Sequence, residues 1–175
     1  MATYHESITD EQAELIRNAA MFFVASADPH LANGPHEVGP VNVSPKGGVP
    51  LHIIGPNRVA YLDYRGSGNE TARHCNAGGP VTIMVCAFDE GDAAIVRLFG
   101  RARVSAVEHS PLAKRMLEHP AAEFKGSPRQ VVELEIDKTM TSCGYGVPVM
   151  KLVRQRRAVD RGRRYKEAVP ASISG

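Results

Sequence analysis

The sequence predicts a mainly β fold, a six-stranded antiparallel barrel with peripheral helices. Six short apolar runs are separated by turn signals, and helical patterns fall between only some of these runs. No regular strand–helix–strand repeat is present, which argues against a parallel sheet. In the last run, Val131–Met140, apolar and polar residues nearly alternate, so one face of that strand is expected to be buried.

The N-terminal half is predicted to hold one helix and three strands. Thr9–Gln12 has the form of a capping box, and apolar residues follow it at helical spacing. Phe22–Ser26 is the first predicted strand, and an Ala-Asp-Pro turn ends it. Residues 28–40 are rich in Pro, Gly and His and are predicted to form a loop. Val41–Ser44 and Val59–Asp63 are the next strands, with Gly-Pro-Asn as a turn signal between them.

The second half is predicted to hold a hairpin, a helix and the last strand. Val81–Phe88 and Ile95–Val107 are separated by Asp-Glu-Gly-Asp, a polar turn of hairpin length. Ser110 and the proline after it are typical of a helix start, and Pro120 would end that helix at about His119. Short connections of this kind favour antiparallel pairing.

The chain of 175 residues and 18.9 kDa suits one domain. Its 43% hydrophobic and 23% charged residues exclude a disordered, collagen-like or disulfide-scaffold protein. The longest apolar run, Ala19–Ala25, is far shorter than the roughly 18 residues of a membrane span, so we expect a soluble, cytoplasmic protein with no membrane partner. Three cysteines without a C-x-x-C pair and seven scattered histidines predict no disulfide framework and no metal site.

Charge is unevenly distributed along the chain. Lys151–Lys166 holds eight basic residues and one acid, so this segment carries +7 and the rest of the chain −5. We therefore separate a domain, residues 1–150, from a basic C-terminal helix or tail, residues 151–175. A solvated helix or frayed end is favoured over a nucleic-acid-binding tail, because Tyr165 is the one aromatic residue in the run.

The segment Tyr61–His74 runs from a predicted strand into a glycine-rich turn and then into a short helix. Ser67 and Glu70 have capping-box spacing, which makes Ser67 the predicted N-cap. The backbone N–H groups of Gly68, Asn69 and Glu70 would then face outward at the positive end of the helix dipole. A phosphate fits such a site, although Ser-x-x-Glu also starts many helices that bind nothing.

Three cations accompany this turn. Arg65 and Arg73 flank it and are candidates for charge-assisted hydrogen bonds to an anion. Lys46 stands where the strand Val41–Ser44 ends, and it is either solvated or, in a cleft, a point charge for an anion. The turn matches neither a P-loop nor a G-x-G-x-x-G fingerprint, which disfavours nucleoside triphosphates and Rossmann dinucleotides.

Together these segments resemble the pyridoxamine 5′-phosphate oxidase-like, FMN-binding split-barrel family. They are most similar to a branch that carries V-N-V-S-P-K-G and Y-x-D-Y-x-G-S-G-N-E-T-A-x-H. Tyr61–His74 reproduces the second motif throughout, Arg97–Val104 resembles the glycine-containing barrel strand of the family, and Thr141–Met150 resembles the closing motif of the branch. The resemblance covers residues 8–150.

The resemblance implies a homodimer with FMN across its interface. It places the isoalloxazine and the ribityl chain against the first motif and the phosphate at the turn of the second. Lys46 matches a position that helps the true oxidases to bind substrate phosphate. The cofactor residues carried over in this way are Asn42, Val43, Ser44, Leu62, Asp63, Ser67, Gly68 and Asn69.

The sequence also departs from the true oxidases. Their Ser-Arg-Lys is replaced here by Ser67-Gly68-Asn69, which removes two cations from the phosphate site, and Arg65 or Arg73 is the candidate replacement. The chain has no tryptophan, whereas the true oxidases end with one near the cofactor and substrate. We therefore expect poor turnover of pyridoxamine 5′-phosphate and a different, unphosphorylated substrate.

The expected function is that of an FMN-dependent oxidoreductase, with hydride transfer through the flavin N5 to or from a small molecule. No residue is assigned as a general acid or base. Two alternatives stay open at this point. One is a reductase that uses a deazaflavin, and the other is a non-catalytic module that holds flavin or haem.

Overall fold

The computed structural model describes residues 1–34, 37, 39–66, 68–91, 93–118 and 128–156. In this part of the chain eight strands and three α-helices follow one another in an irregular order. They are β1 (Ala2–His5), α1 (Asp10–Asn18), β2 (Met21–Ala27), β3 (Val41–Gly47), β4 (His52–Gly55), β5 (Arg58–Tyr64), α2 (Glu70–Asn76), β6 (Pro80–Cys86), β7 (Ala94–Ala106), α3 (Ala113–Leu117) and β8 (Pro128–Cys143).

The strands of the described chain form one antiparallel sheet in the order β3-β2-β6-β7-β8-β5-β4, with β1 added along β8. Strand β8 pairs with β7 on one side and with β5 and then β1 on the other. The edge strand β3 pairs through its backbone with β2. The sheet curls until side chains of β3 reach β5 and α2. We call this side-chain closure of the barrel the β3–β5 seam.

The predicted mainly β, antiparallel architecture with peripheral helices is confirmed, and the six predicted strands are present. The predicted number of six is too low, because the structure adds β1 and β4. Each of these two strands has only four residues and pairs with one neighbour. Strands so short show too few residues for an alternating apolar pattern to be recognised in the sequence.

Helix α1 begins as its sequence predicts. Thr9 Oγ1 accepts a hydrogen bond from the backbone N–H of Gln12 at 3.3 Å, and Gln12 Oε1 accepts one from the backbone N–H of Thr9 at 3.2 Å. The Gln12 side chain also donates to Thr141 Oγ1 at 2.9 Å, and Ile16 is buried in the barrel core. The capping box therefore starts the helix and fixes its position against β8.

The predicted helix start at Ser110 is wrong. Val107–His109 forms a single 3₁₀ turn, and α3 begins at Ala113. Ser110 Oγ accepts a hydrogen bond from the backbone N–H of Leu112 at 3.3 Å. It therefore provides an acceptor for an N–H group of the turn before α3 rather than for one inside the helix. The predicted end at His119 lies outside the described residues.

The core has two layers on either side of β5. Inside the barrel, Phe22, Leu98 and Tyr61 pack among aliphatic side chains from β2, β5, β6, β7 and β8. Outside it, Leu62 packs against Met116 of α3. Burial of each large apolar side chain contributes about 2 kcal/mol. Strand β5 is therefore buried on both faces, which gives the residues at its C-terminal end a rigid support.

Gly100, the glycine of the segment Arg97–Val104, lies where strands β7 and β8 come too close for a side chain. The register between β7 and β8 shifts between Phe99 and Gly100. A Cβ atom on Gly100 would overlap the backbone carbonyl of Glu135 on β8. Because a backbone atom cannot move aside as a side chain can, a larger residue would push the two longest strands apart.

The basic tail is described only at its beginning. Residues 151–156 have no regular secondary structure, so the helix that the composition allows does not start there. The other residues of the predicted tail, 157–175, lie outside the described part of the chain. No helix in the described residues is long and apolar enough to cross a membrane.

Candidate functional site

The β3–β5 seam collects polar side chains from both of its edges. Alternation along β3 turns Asn42, Ser44 and Lys46 toward the barrel, while the residues between them are exposed on its outer face. The Asn42 side-chain amide donates a hydrogen bond to Thr71 Oγ1 on α2 at 3.2 Å. Two residues beyond Ser44, Lys46 reaches β5. Side chains rather than a backbone ladder therefore close the barrel at this seam.

Asp63 is the centre of the seam. Its Oδ1 accepts a hydrogen bond from Lys46 Nζ at 2.7 Å. Its Oδ2 accepts from the Arg129 guanidinium at 2.7 Å and from the Gln130 side-chain amide at 2.8 Å. These four residues, which come from β3, β5 and β8, are called the seam cluster below.

The seam cluster also holds the glycine-rich turn before α2. The Arg129 guanidinium donates to the carbonyl oxygen of Gly68 at 3.3 Å, and the Gln130 amide donates to Asn69 Oδ1 at 2.9 Å. Asp63 and Gln130 face each other in the β5–β8 register, which brings the start of β8 to this turn. The turn and the end of β3 are therefore linked through one carboxylate.

The electrostatic balance of the seam cluster leaves one positive charge in excess. Burial raises the pKa of Asp63, but hydrogen bonds from Arg129 and Lys46 outweigh it and hold the pKa below its ordinary value. Asp63 is therefore ionised at neutral pH, with 7% of its side chain exposed. Lys46 and Arg129 keep 20% and 24% of their side chains exposed, so both cations can still meet a ligand.

Several buried polar atoms beside the seam have no hydrogen-bond partner. Among the described residues they are Ser44 Oγ, Tyr61 Oη and Arg129 Nε, and Arg73 Nε on α2 is a further such atom away from the seam. The Tyr61 ring packs edge-on against Phe22, and Lys46 Nζ lies 5.6 Å from its centre. Burial, reinforced by the nearby Asp63 carboxylate, raises the pKa of Tyr61 well above its ordinary value. Buried orphan groups are costly in a folded protein and require an explanation.

A second cluster joins helix α2 to the end of β2 and the loop that follows it. The Arg73 guanidinium pairs with Asp28 at 3.3 Å and donates to the carbonyl oxygen of Gly39 at 2.7 Å. It also lies 2.9 Å from His74 Nε2, and His74 Nδ1 lies 2.8 Å from Ser26 Oγ. Asp28 further accepts the backbone N–H groups of residues 30 and 32. We call these residues the loop cluster, because they hold the loop between β2 and β3 against α2.

A separate cleft of about 820 Å³ lies at the far end of β5. Its walls alternate in charge, with Arg58, Arg101 and Arg103 facing Glu133 and Glu135. Arg58 and Glu133 form an ion pair of 3.5 Å. Opposite charges on neighbouring strands thus pair across this cleft, and one arginine remains in excess over the two glutamates.

Two of the three cysteines are unsuited to nucleophilic chemistry. Burial raises the pKa of Cys75 to about 11 and also raises the pKa of Cys86. Cys143, at the end of β8, is exposed. Within the described ranges no group of three or more His, Cys, Asp or Glu side chains comes together as metal ligands would.

The comparison with family models decides the relationship. The family model described as pyridoxamine 5′-phosphate oxidase matches residues 8–143, which include the whole seam cluster. The chain belongs to the pyridoxamine 5′-phosphate oxidase family.

Relatives of known sequence or structure agree with this assignment. The pyridoxamine 5′-phosphate oxidase family protein ustO of Aspergillus flavus is 34% identical over 155 residues, which are 87% of this chain and 58% of ustO. The chain thus spans little more than half the length of that relative. Crystal structures of HupZ from Group A Streptococcus (TM-score 0.55, 21% identity, 75% of this chain and 91% of HupZ) and of HutZ, the haem storage protein of Vibrio cholerae (TM-score 0.50, 14% identity, 79% and 98%), share the fold.

Within this oxidase family fold, only part of the predicted site residues meet. Those along the seam or in the turn beside it are Asn42, Ser44, Lys46, Asp63, Gly68 and Asn69. Val43 lies on the outer face of β3, and Leu62 points to α3, away from Asp63. Arg65 is exposed beyond the end of β5, and Arg73 belongs to the loop cluster.

The helix start also differs from the prediction. Helix α2 begins at Glu70, with Asn69 rather than Ser67 as its N-cap and with no capping side chain. Ser67 lies outside the described residues. The Glu70 carboxylate folds back over Gly68, where a Cβ atom would collide with both of its oxygens.

Sequence reasoning missed Arg129, Gln130, Thr71 and Tyr61 as site residues. Arg129 and Gln130 stand just before the predicted strand Val131–Met140, where polar residues ordinarily remain in solvent. Their approach to Asp63 depends on the β5–β8 register, which spans more than sixty residues of sequence. The available signal was weaker: two adjacent polar residues precede a run that otherwise alternates.

Proposed function

We propose that this chain binds FMN along the β3–β5 seam and acts as a flavin-dependent oxidoreductase on a small molecule. The observation that supports this most is the unpaired, buried Ser44 Oγ on β3, in a chain that belongs to the family. Resemblance to the true oxidases places the flavin ring against this strand.

The residues present fit a flavin in two respects. Asn42 and Ser44 present an amide and a free hydroxyl to a ligand along β3, as a ribityl chain or a ring edge requires. Gly66, just after β5, borders open space, because nothing lies within 4 Å of a Cβ atom built on it. Arg65, exposed beside the turn before α2, is the proposed cation for the phosphate in place of the two that the sequence lacks.

When bound, FMN supplies a ring whose N5 atom accepts or donates a hydride. The chain's own contribution is orientation and electrostatics. Asn42 and Ser44 hold the ring side of the ligand, the turn before α2 holds its phosphate, and the positive seam cluster lies between them. No described residue is assigned as a proton donor or acceptor for the reaction.

The proposed working form is a homodimer. Val41 and Val43 expose 59% and 64% of their surface on the outer face of the edge strand β3, where a second copy can cover them. An isologous interface along β3 would bury these two apolar side chains against their copies in the second chain. Light scattering of the flavin-bound protein tests this, and a mass near the 18.9 kDa of one chain would contradict it.

The function is tested by the absorption spectrum of the purified protein and by titration with FMN and riboflavin. We expect a flavin spectrum, and we expect FMN to bind about tenfold or more tightly than riboflavin, because only FMN carries a phosphate for the turn. Equal affinity for the two would contradict the phosphate assignment. Reduction of the bound flavin by a nicotinamide donor, followed by turnover, separates an enzyme from a binding module.

Haem is the second candidate ligand, since HutZ, which shares the fold, is described as a haem storage protein. A Soret band in the same spectrum would favour haem, and a deazaflavin would be recognised by its own absorption and mass. His74 is an unsuitable axial ligand, because it is fully buried and both ring nitrogens have partners.

A further inference from the structure

We propose that His74 is a positioning residue for the flavin site: it fixes helix α2 against β2 and thereby sets the orientation of the Asn42 side chain. His74 closes the motif Tyr61–His74, and the proposed function gives it no role. Only the identity of the ligand as a flavin rests on the proposed function. The link from His74 to Asn42 is a property of the chain itself.

Two side chains of α2 hold a cross-strand pair of the sheet. Ser26 and Asn42 lie directly opposite each other in the β2–β3 register. Thr71 and His74, three residues apart and therefore on the same face of α2, contact one member each. The Asn42 amide donates to Thr71 Oγ1 at 3.2 Å. His74 Nδ1 lies 2.8 Å from Ser26 Oγ, so the helix is fixed to both strands at the level of Asn42.

The position of α2 depends on such contacts. The helix has seven residues and no capping side chain at its start, so packing against the sheet rather than the helix itself must stabilise it. His74 and Ser26 are both buried. A buried hydrogen bond that is lost cannot be replaced by one to water, so without His74 the helix would have to shift to satisfy Ser26.

The second ring nitrogen of His74 contacts the chain that enters β3. Nε2 lies 2.9 Å from the carbonyl oxygen of Gly39 and 2.9 Å from the Arg73 guanidinium. Each neutral tautomer gives it a partner, since a protonated Nε2 donates to Gly39 and an unprotonated one accepts from Arg73. Gly39 lies two residues before Val41, where β3 begins. His74 therefore contacts β2 through one nitrogen and the approach to β3 through the other.

These contacts give the Asn42 amide one orientation. Its nitrogen donates to Thr71, which leaves its carbonyl oxygen as an acceptor. A flavin offers donors to such an acceptor at the ring N3–H and at the ribityl hydroxyl groups, and FMN and riboflavin share all of them. A shift of α2 moves Thr71 and turns the amide, so it should weaken both flavins alike.

The first test uses the whole chain without flavin and follows the side-chain amide signal of Asn42 by NMR. His74→Phe keeps a ring and removes both hydrogen-bonding nitrogens. We expect it to shift the Asn42 signal, as Thr71→Val does by removing the direct partner. The matched control is Arg101→Gln, which removes a hydrogen bond from β7 to the carbonyl oxygen of Gly78, just after α2, and should leave the signal unchanged.

The second test titrates FMN and riboflavin. We expect His74→Phe to weaken both by about tenfold and to leave the ratio of the two affinities unchanged. In an Asn42→Ala background the same substitution should cost nothing further, because the residue that it positions is absent. A merely structural role would weaken flavin binding in both backgrounds. Ser26→Ala removes the same hydrogen bond from the β2 side and takes the place of His74→Phe in both tests if that variant does not fold.

The outcomes separate the two proposals. An Asn42 signal that does not move, or that moves equally in Arg101→Gln, overturns the positioning role. So does an equal loss of flavin affinity with and without Asn42. A native chain that binds neither FMN nor riboflavin removes the proposed function, and a shift of the Asn42 signal in His74→Phe but not in Arg101→Gln would still support the link between the two residues.

Discussion

The seam cluster and the loop cluster each contain an aspartate–arginine pair, the first bound to the turn before helix α2 and the second including Arg73 of that helix. In the loop cluster, Asp28 accepts backbone N–H groups from its own loop, and Arg73 donates to the backbone carbonyl of Gly39. In the seam cluster, the partners of Asp63 are side chains that two other strands, β3 and β8, supply.

This difference teaches how similar ion pairs serve different purposes. Backbone partners fix the path of the chain, so the loop cluster holds a loop that includes left-handed residues such as Leu31, Glu37 and Gly39. Arg73 and the two cations of the seam cluster are all partly exposed, and Arg73 Nε and Arg129 Nε both lack a partner, so these properties do not separate the clusters. The kind of partner does, and on that ground we assign a structural role to the loop cluster and propose a binding role for the seam cluster.

The largest expected effect is on stability. Asp63→Ala leaves two partly buried cations without their carboxylate, and we expect the free energy of unfolding to fall by about 3 kcal/mol. Asp28→Ala should cost less, because it leaves one cation, Arg73, rather than two without a carboxylate. Urea denaturation measures both.

The control for these variants is Glu133→Ala, which removes one partner of an exposed ion pair and should cost at most about 1 kcal/mol. Equal losses for Asp63→Ala and Asp28→Ala would show that the two clusters do not differ as proposed.

The second effect concerns cofactor affinity. Arg65→Ala should weaken FMN by about tenfold and leave riboflavin unchanged, because its charge meets only the phosphate. Glu70→Gln, which removes the carboxylate folded over Gly68, should strengthen FMN severalfold. Arg73→Ala should lower stability and leave the ratio of the two affinities unchanged. A drop in that ratio for Arg73→Ala would place the loop cluster in the binding site.

The smallest effect is the acid dependence of stability. The folded-state pKa of Asp63 lies below its ordinary value of 3.8. Its ionised form therefore stabilises the fold above that pH, and this contribution is lost as pH falls through the lower, folded-state pKa. The stability difference between native protein and Asp63→Asn should be constant from neutral pH to about pH 4 and then shrink. Denaturation at a series of pH values checks this, and a difference that grows in acid would contradict it.

Much of the architecture could be predicted because it rests on local rules. The capping box at Thr9, the turn signals and the alternation in Val131–Met140 each act within a few residues. The short strands β1 and β4 could not be predicted in this way, because pairing with distant neighbours defines them.

The candidate site divides in the same manner. The sequence alone determined the class of fold, the family and the two segments that carry Lys46 and Asp63, since residue order and spacing are enough to recognise them. Only the tertiary structure decided that Arg129 contacts Asp63 and that Leu62 faces α3. It also decided that Arg73 pairs with Asp28 of the loop after β2. The physical reason is the register of the sheet. The pairing of β5 with β8 brings Arg129 and Gln130 to the Asp63 carboxylate, and no local sequence pattern specifies that pairing.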